Sequence, residues 1–126
     1  MTLFTPAGFA RYIGTLPAAT MVEQWESHVA KVGGKVFALQ SGEGSITFKV
    51  AETTFEILTA EDGIGQAPYF AKRQWVNVSS AAPLPVAELR AYLAASHRTV
   101  ATGLTRKARA ELGLAEAEYG RKAFGG

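Results

Sequence analysis

The sequence predicts an α+β two-layer domain in which helices pack on an antiparallel sheet. Two observations predict it: alternating segments are joined by glycine turns that suit hairpins, and segments of helical periodicity separate these hairpins. The length of 126 residues fits one domain. The predicted order is α-β-β-β-α-β-β-α. We place the domain at residues 1–112 and a partly helical or frayed C-terminal extension at residues 113–126.

The first helix is predicted to begin at Thr5-Pro6. A threonine hydroxyl can accept from the free amides of a first turn, and proline at the first helical position loses no hydrogen bond. The apolar residues that follow at helical spacing are Phe9, Ile13 and Leu16. Pro17 ends this helix, and residues 20–25 predict a short edge strand.

Two glycine-containing turns organise the next strands. Segments 28–32 and 35–39 flank Gly33-Gly34, and glycine reaches the positive φ of a two-residue hairpin without steric cost. A second turn at residues 42–44 leads to a strand over residues 45–50. Apolar and polar residues alternate along that strand, so we expect it to be half-buried.

The second half of the chain repeats these signals. Helical periodicity over Ala51 to Leu58 predicts a helix that ends at Asp62-Gly63. A hairpin follows, with strands at residues 67–70 and 74–79 and a turn at residues 71–73. Pro85 begins a long helix whose apolar stripe is Val86, Leu89, Leu93, Val100 and Leu104. A further short helix is predicted around residues 108–119.

The composition excludes several function classes. The chain has no cysteine and no apolar run long enough to span a bilayer, so we expect a cytoplasmic protein that does not associate with membranes. Neither a phosphate-binding glycine loop nor a nucleophile elbow occurs. His28 and His97 lack a second ligand at metal spacing, so each is predicted to be structural or solvated. We therefore expect a protein that is not an enzyme and has no cofactor or metal.

Clustered cations and aromatic rings indicate a binding protein instead. Residues 84–126 carry seven Lys and Arg against four Asp and Glu, and cations beside exposed rings suit nucleic acids. The predicted phosphate contacts are Lys35, Lys49, Lys72, Arg73, Arg106 and Lys107, and the predicted stacking rings are Tyr69 and Trp75. An alternative is that the rings fill the core and the lysines are solvated strand-edge charges.

Two hairpin sequences carry a resemblance to a known family. The segment Lys31–Leu39 contains Gly-Gly-Lys-Val-Phe, and the segment Ala67–Val76 contains Lys-Arg-Gln-Trp. Together with Ile46–Val50 they resemble the MmcQ/YjbR-like family of small bacterial proteins, over roughly Phe9 to Leu112.

The resemblance implies an α+β fold similar to secretion-chaperone-like and frataxin-like sandwiches, and the family is usually labelled DNA-binding. The recurrent family residues are carried over as Gly33, Gly34, Lys35, Phe37, Tyr69, Lys72, Arg73 and Trp75. Ala71 stands where the family often has asparagine. The resemblance implies DNA or another nucleic acid as partner; a protein partner held on the sheet surface remains the alternative.

Overall fold

One antiparallel sheet of six strands carries the helices on one of its faces. The computed structural model describes residues 2–41 and 44–120, and its strands are β1 Ala19–Gln24, β2 Ser27–Val32, β3 Lys35–Ser41, β4 Ser45–Lys49, β5 Ile64–Gln66 and β6 Trp75–Ser79. The helices are α1 Pro6–Ile13, α2 Glu52–Thr59, α3 Val86–Thr102, α4 Arg106–Glu111 and α5 Glu116–Tyr119. The strand order is β1-β2-β3-β4-β6-β5. The predicted α+β class is confirmed, with four strands rather than three before α2.

Helix α1 begins as the sequence predicts. The hydroxyl of Thr5 accepts a hydrogen bond from the amide of Gly8 at 3.1 Å, and Pro6 is the first helical residue. This satisfies one of the amides that the first turn leaves without a partner. Phe9 and Ile13 are fully buried, so α1 contributes its predicted apolar stripe to the core.

Two-residue turns join β1 to β2 and β2 to β3. Gly33 and Gly34 have φ values of 59° and 78°, which confirms the predicted glycine hairpin. Between β1 and β2 the same left-handed backbone is adopted by Trp25 and Glu26, at 53° and 59°. The turn predicted at residues 42–44 lies largely outside the described residues.

A bulge in β3 changes which side chains face the helices. The cross-strand partners around it are Ala30 with Ala38 and Lys31 with Val36. Phe37 is therefore the extra residue, and it is buried in the same core as Ala38. Its ring meets the ring of His97 edge-on, with centroids 5.3 Å apart. Phe37 and Ala38 thus both face the helices. Before them the alternation is reversed, so Val36 lies on the face away from the helices and Lys35 on the helix side.

Helix α3 covers the middle of the sheet. Most of the predicted stripe is buried, namely Leu89, Leu93, Val100 and Leu104, whereas Val86 in the first turn is exposed. His97 on the same helix is 2 % exposed, and its Nε2 lies 2.7 Å from the carbonyl oxygen of Pro17. Burial lowers the pKa of this imidazole, so His97 is a neutral part of the core at neutral pH.

The last hairpin differs from its prediction. The residues predicted as a strand, 67–70, belong to a loop over residues 67–74, and the strand before it is β5. The side chain of Gln66 holds this loop: its amide donates to the Ala67 carbonyl at 2.8 Å, and its Oε1 accepts from the Arg73 amide at 2.9 Å. Pro68 has no amide proton for a backbone hydrogen bond between strands, so the pairing of β5 with β6 does not continue along the loop.

The C-terminal segment forms two helices where one was predicted. Gly113, with a φ of 75°, separates α4 from α5. Leu114 and Tyr119 belong to the hydrophobic core, so residues 113–120 of the predicted extension pack on the domain. Residues 121–126, whose fraying was predicted, lie outside the described residues.

A buried arginine holds these two helices together. Arg109 is 5 % exposed, and its Nε donates to the Glu116 carboxylate at 2.9 Å. Its Nη1 also donates to the carbonyl oxygens of Thr102 and Leu104. The guanidinium therefore satisfies the end of α3 and the start of α5 at once.

Candidate nucleic-acid interface

The helices leave the opposite face of the sheet free of core contacts. Cross-strand pairing assigns to this open face the residues Thr20, Val22, Gln24, Ser27, Val29, Lys31, Val36, Leu39, Ser41, Ser45, Thr47, Lys49, Gly65, Trp75, Asn77 and Ser79. None of them belongs to the core formed with the helices. Among the strand residues that the structure describes, the open face holds two lysines and no carboxylate.

The centre of the open face is polar and internally bonded. The side-chain amide of Asn77 donates to the hydroxyls of Ser45 and Thr47, at 3.1 Å and 2.9 Å. Thr47 is buried although alternation predicted its side for solvent. These three residues form a flat polar floor between the apolar residues of β2 and β3 and the aromatic residues of the loop.

The loop over residues 67–74 brings one ring down onto this face. The ring of Phe70 lies on the ring of Trp75, with centroids 4.5 Å apart. Trp75 is consequently 9 % exposed. The predicted stacking role of Trp75 does not fit this geometry, because Phe70 already occupies the face that a base would need.

A cavity of about 570 Å³ opens between the loop and the far end of the sheet. Its lining residues are Trp25, Ser27, Leu39, Pro68, Tyr69 and Phe70. Leu39 is buried beneath it, whereas Trp25 is 69 % exposed and Tyr69 is 105 % exposed. The cavity therefore has an apolar floor and two solvent-exposed aromatic rings among its walls. Its volume is in the range of small-ligand sites.

Both exposed rings are carried on unfavourable backbone. Trp25 and Tyr69 have φ values of 53° and 69°, a region that non-glycine residues seldom adopt. Such a conformation costs on the order of 1–3 kcal/mol per residue and persists only where the surrounding structure imposes it. Neither ring gains burial in return. Exposed rings held at this cost are a reason to look for a ligand.

The predicted cations do not share one face. Lys49 lies on the open face opposite Trp75, and Lys72 is exposed in the loop above that end of the sheet. Lys35 pairs with Val32, whose side chain is in the core, so Lys35 lies on the helix side. The bulge at Phe37 is the cause, because a regular β3 would have placed Lys35 on the face of Lys49.

Arg73 is engaged by carboxylates rather than facing solvent alone. Its Nε lies 2.6 Å from Glu52 Oε2, and its Nη2 contacts the carboxylate of Glu56. The guanidinium also lies 5.7 Å from the centre of the Phe55 ring. Hydrogen bonds to Glu52 and then Glu56 raise the pKa of Arg73. This arginine attaches the loop to α2 and has little charge left for a phosphate.

Arg106 and Lys107 lie at the start of α4, in the helix layer. A Cβ on Gly33 would meet Leu104 at 2.6 Å, so the residues that follow Leu104 are near the β2–β3 turn. Both cations are exposed, and Arg106 Nε is 4.0 Å from Glu116 Oε1. The predicted site residues thus separate into the open face, the loop and the helix layer.

Two residues of this geometry carried no strong sequence signal. Trp25 was assigned to an edge strand, and its position as a cavity wall depends on a two-residue turn without glycine. Lys31 lies on a predicted strand, but both faces of that strand carry apolar residues, Val29 on one and Ala30 and Val32 on the other, so alternation did not assign its face. The two-residue gap between the predicted strands 20–25 and 28–32 was the sequence signal for this turn.

No group of three or more histidine, cysteine or acidic side chains in residues 2–41 and 44–120 could hold a metal ion. In the same part of the chain no helix has the length and apolar character needed to cross a membrane.

Comparisons with known proteins agree with the fold. The chain is similar to Deinococcus radiodurans protein DR2400, which carries a DUF419 domain, with 25 % identity over 90 % of this chain and 91 % of that one and a TM-score of 0.80. A protein from Pseudomonas syringae has the same fold, with 19 % identity over 75 % of this chain and 97 % of that one and a TM-score of 0.63. No curated protein matches the sequence. The sequence profile of the YjbR family matches residues 14–99, more than half of the chain, so the protein belongs to the YjbR family.

Proposed function

We propose that this protein binds single-stranded nucleic acid on the open face of its sheet and acts by binding rather than by catalysis. One observation carries the proposal: the described strand residues of this face include Lys31 and Lys49 and no carboxylate, and the loop that covers Trp75 on this face exposes the ring of Tyr69. Lysines neutralise phosphates, and rings stack on bases whatever their sequence.

The proposed contacts are divided between the sheet and the loop. Lys31, Lys49 and Lys72 contact phosphates, and Tyr69 stacks on a base. Trp75 supports Phe70 from below, at a centroid distance of 4.5 Å. A flat sheet face suits a single strand because its bases can splay onto the surface, whereas a duplex keeps them stacked inside.

The experiment compares single and double strands at low salt. We expect a labelled 12-nucleotide single strand to bind more tightly than a hairpin duplex of equal charge. Lys49→Glu should weaken binding, whereas Lys35→Glu, the same change on the helix side, should leave it close to that of the parent protein. An equal loss of affinity in Lys49→Glu and Lys35→Glu would contradict binding on the open face.

A second candidate is a protein-interaction domain. Val22 and Trp25 are exposed at the edge strand β1, at 39 % and 69 %, and an edge strand offers unpaired backbone groups to an added strand. A partner chain that co-purifies after nuclease treatment, and that is lost in Val22→Lys, would favour this candidate over nucleic acid.

A further inference from the structure

The cavity beside the loop, called the slot below, combines an apolar floor with two exposed aromatic rings. Trp25 on the β1–β2 turn and Tyr69 in the loop are both among its walls, and Leu39 lies at its floor. These residues come from three separate parts of the chain. An apolar floor below exposed rings suits a flat group that enters edge first.

The charges near this slot identify the kind of molecule that carries the flat group. Lys31 and Lys49 lie on the same face of the sheet as the slot, and Lys72 lies in the loop that forms one of its walls. An uncharged planar ligand would gain nothing from these cations. A base joined to a phosphate backbone would use both the rings and the lysines.

The backbone at the two rings supports a binding role over a structural one. Glycine would adopt the φ of 53° at position 25 and of 69° at position 69 without steric cost. The side chains present are instead the largest available, and both are exposed. A purely structural turn would not require an aromatic residue at either position.

We infer that the slot between Trp25 and Tyr69 receives one unstacked base of the bound single strand. This inference rests on the proposed function and assigns the base-binding part of the same site. The hydroxyl side chains among the lining residues are Ser27 and Tyr69, and a hydroxyl can accept from or donate to any base. The slot therefore recognises planarity rather than a particular base.

The experiment uses Trp25 as its own reporter. The chain has two tryptophans, so Trp75→Phe leaves Trp25 as the only one, and its fluorescence reports the slot. The probes are a thymine 12-mer and a 12-mer of the same charge whose central nucleotides are abasic. We expect the thymine strand to quench Trp25 and to bind roughly tenfold more tightly than the abasic strand.

Two ring substitutions and one control complete the test. Tyr69→Ala and, in the otherwise natural chain, Trp25→Ala should each remove the preference for the thymine strand. Ile57→Ala, which removes an exposed apolar side chain of α2 at 67 % exposure, should keep it. Because Tyr69 is fully exposed, Tyr69→Ala should fold with the parent circular dichroism spectrum, which keeps the test valid if Trp25→Ala does not.

The outcomes separate this inference from the proposed function. Equal binding of the thymine and abasic strands, still weakened by Lys49→Glu, would overturn base insertion and leave open-face binding in place. Absence of binding by both strands would overturn both. Quenching of Trp25 by the thymine strand alone, lost in Tyr69→Ala, would support the slot.

Discussion

The salt dependence of single-strand binding should report how many lysines of the open face and the loop contact phosphates. Each phosphate contact contributes about −0.7 to the slope of log affinity against log salt concentration for single strands, so Lys31, Lys49 and Lys72 together predict a slope of about −2. That slope corresponds to about a twentyfold loss of affinity between roughly 50 and 200 mM salt. Lys49→Ala should reduce the slope to about −1.4 and the loss to about sevenfold.

Fluorescence anisotropy of a labelled 12-mer across this salt range measures the slope. Lys35→Ala is the matched control, because Lys35 is an exposed lysine of the same sheet whose partner Val32 faces the core. Its slope should equal that of the parent protein. Unchanged slopes in both Lys31→Ala and Lys49→Ala, at unchanged melting temperature, would refute the assignment of phosphates to the open face.

Three further predictions concern the fold that supports this face. Burial lowers the pKa of His97, so below about pH 6.5 the unfolded chain takes up a proton that the native imidazole does not, and the free energy of unfolding falls by at most about 1.4 kcal/mol per pH unit. Urea denaturation of His97→Gln should lack this loss between about pH 6.5 and 5, while His28→Gln should keep it. Arg109→Ala removes the donor of the buried Leu104 carbonyl oxygen and the partner of the Glu116 carboxylate and should lower the free energy of unfolding by about 1–3 kcal/mol in urea denaturation, with Arg109→Lys recovering part. Gln66→Ala removes the bonds that hold the loop; it should cost about 1 kcal/mol and speed hydrogen exchange at the Arg73 amide, and unchanged exchange would contradict the role given to Gln66.

Local signals predicted most of the fold, because they depend on neighbours in the chain. Thr5 caps α1 through a residue three positions away, and Gly33-Gly34 sets its hairpin through its own backbone. The strand before the loop was predicted at residues 67–70 and lies at Ile64–Gln66. The loop is held by the side chain of Gln66, and no local sequence pattern predicts such a bond. Most elements were thus available from the sequence, while the position of β5 and the division of the last helix at Gly113 were not.

The candidate site was harder to predict because it depends on contacts between distant residues. Tyr69 and Trp75 are equivalent rings in the sequence, but Tyr69 is exposed in the loop, whereas Trp75 lies on β6 and is covered by the ring of Phe70. The sequence indicated that Arg73 is a free cation, but in the fold Glu52 and Glu56 of α2 lie beside it. The number of charged residues follows from the sequence, but whether each charge is free to contact a ligand does not.

The bulge in β3 makes the charge of the open face depend on how β2 and β3 pair as well as on residue type. Regular pairing of the same residues, without an extra residue, would bring Lys35 to the open face and turn Val36 toward the helices, because the bulge reverses the alternation of the residues before Phe37. The bulge therefore keeps one lysine off the open face without any change in the number of charged residues. A count of charged residues along the sequence would miss this difference in surface charge.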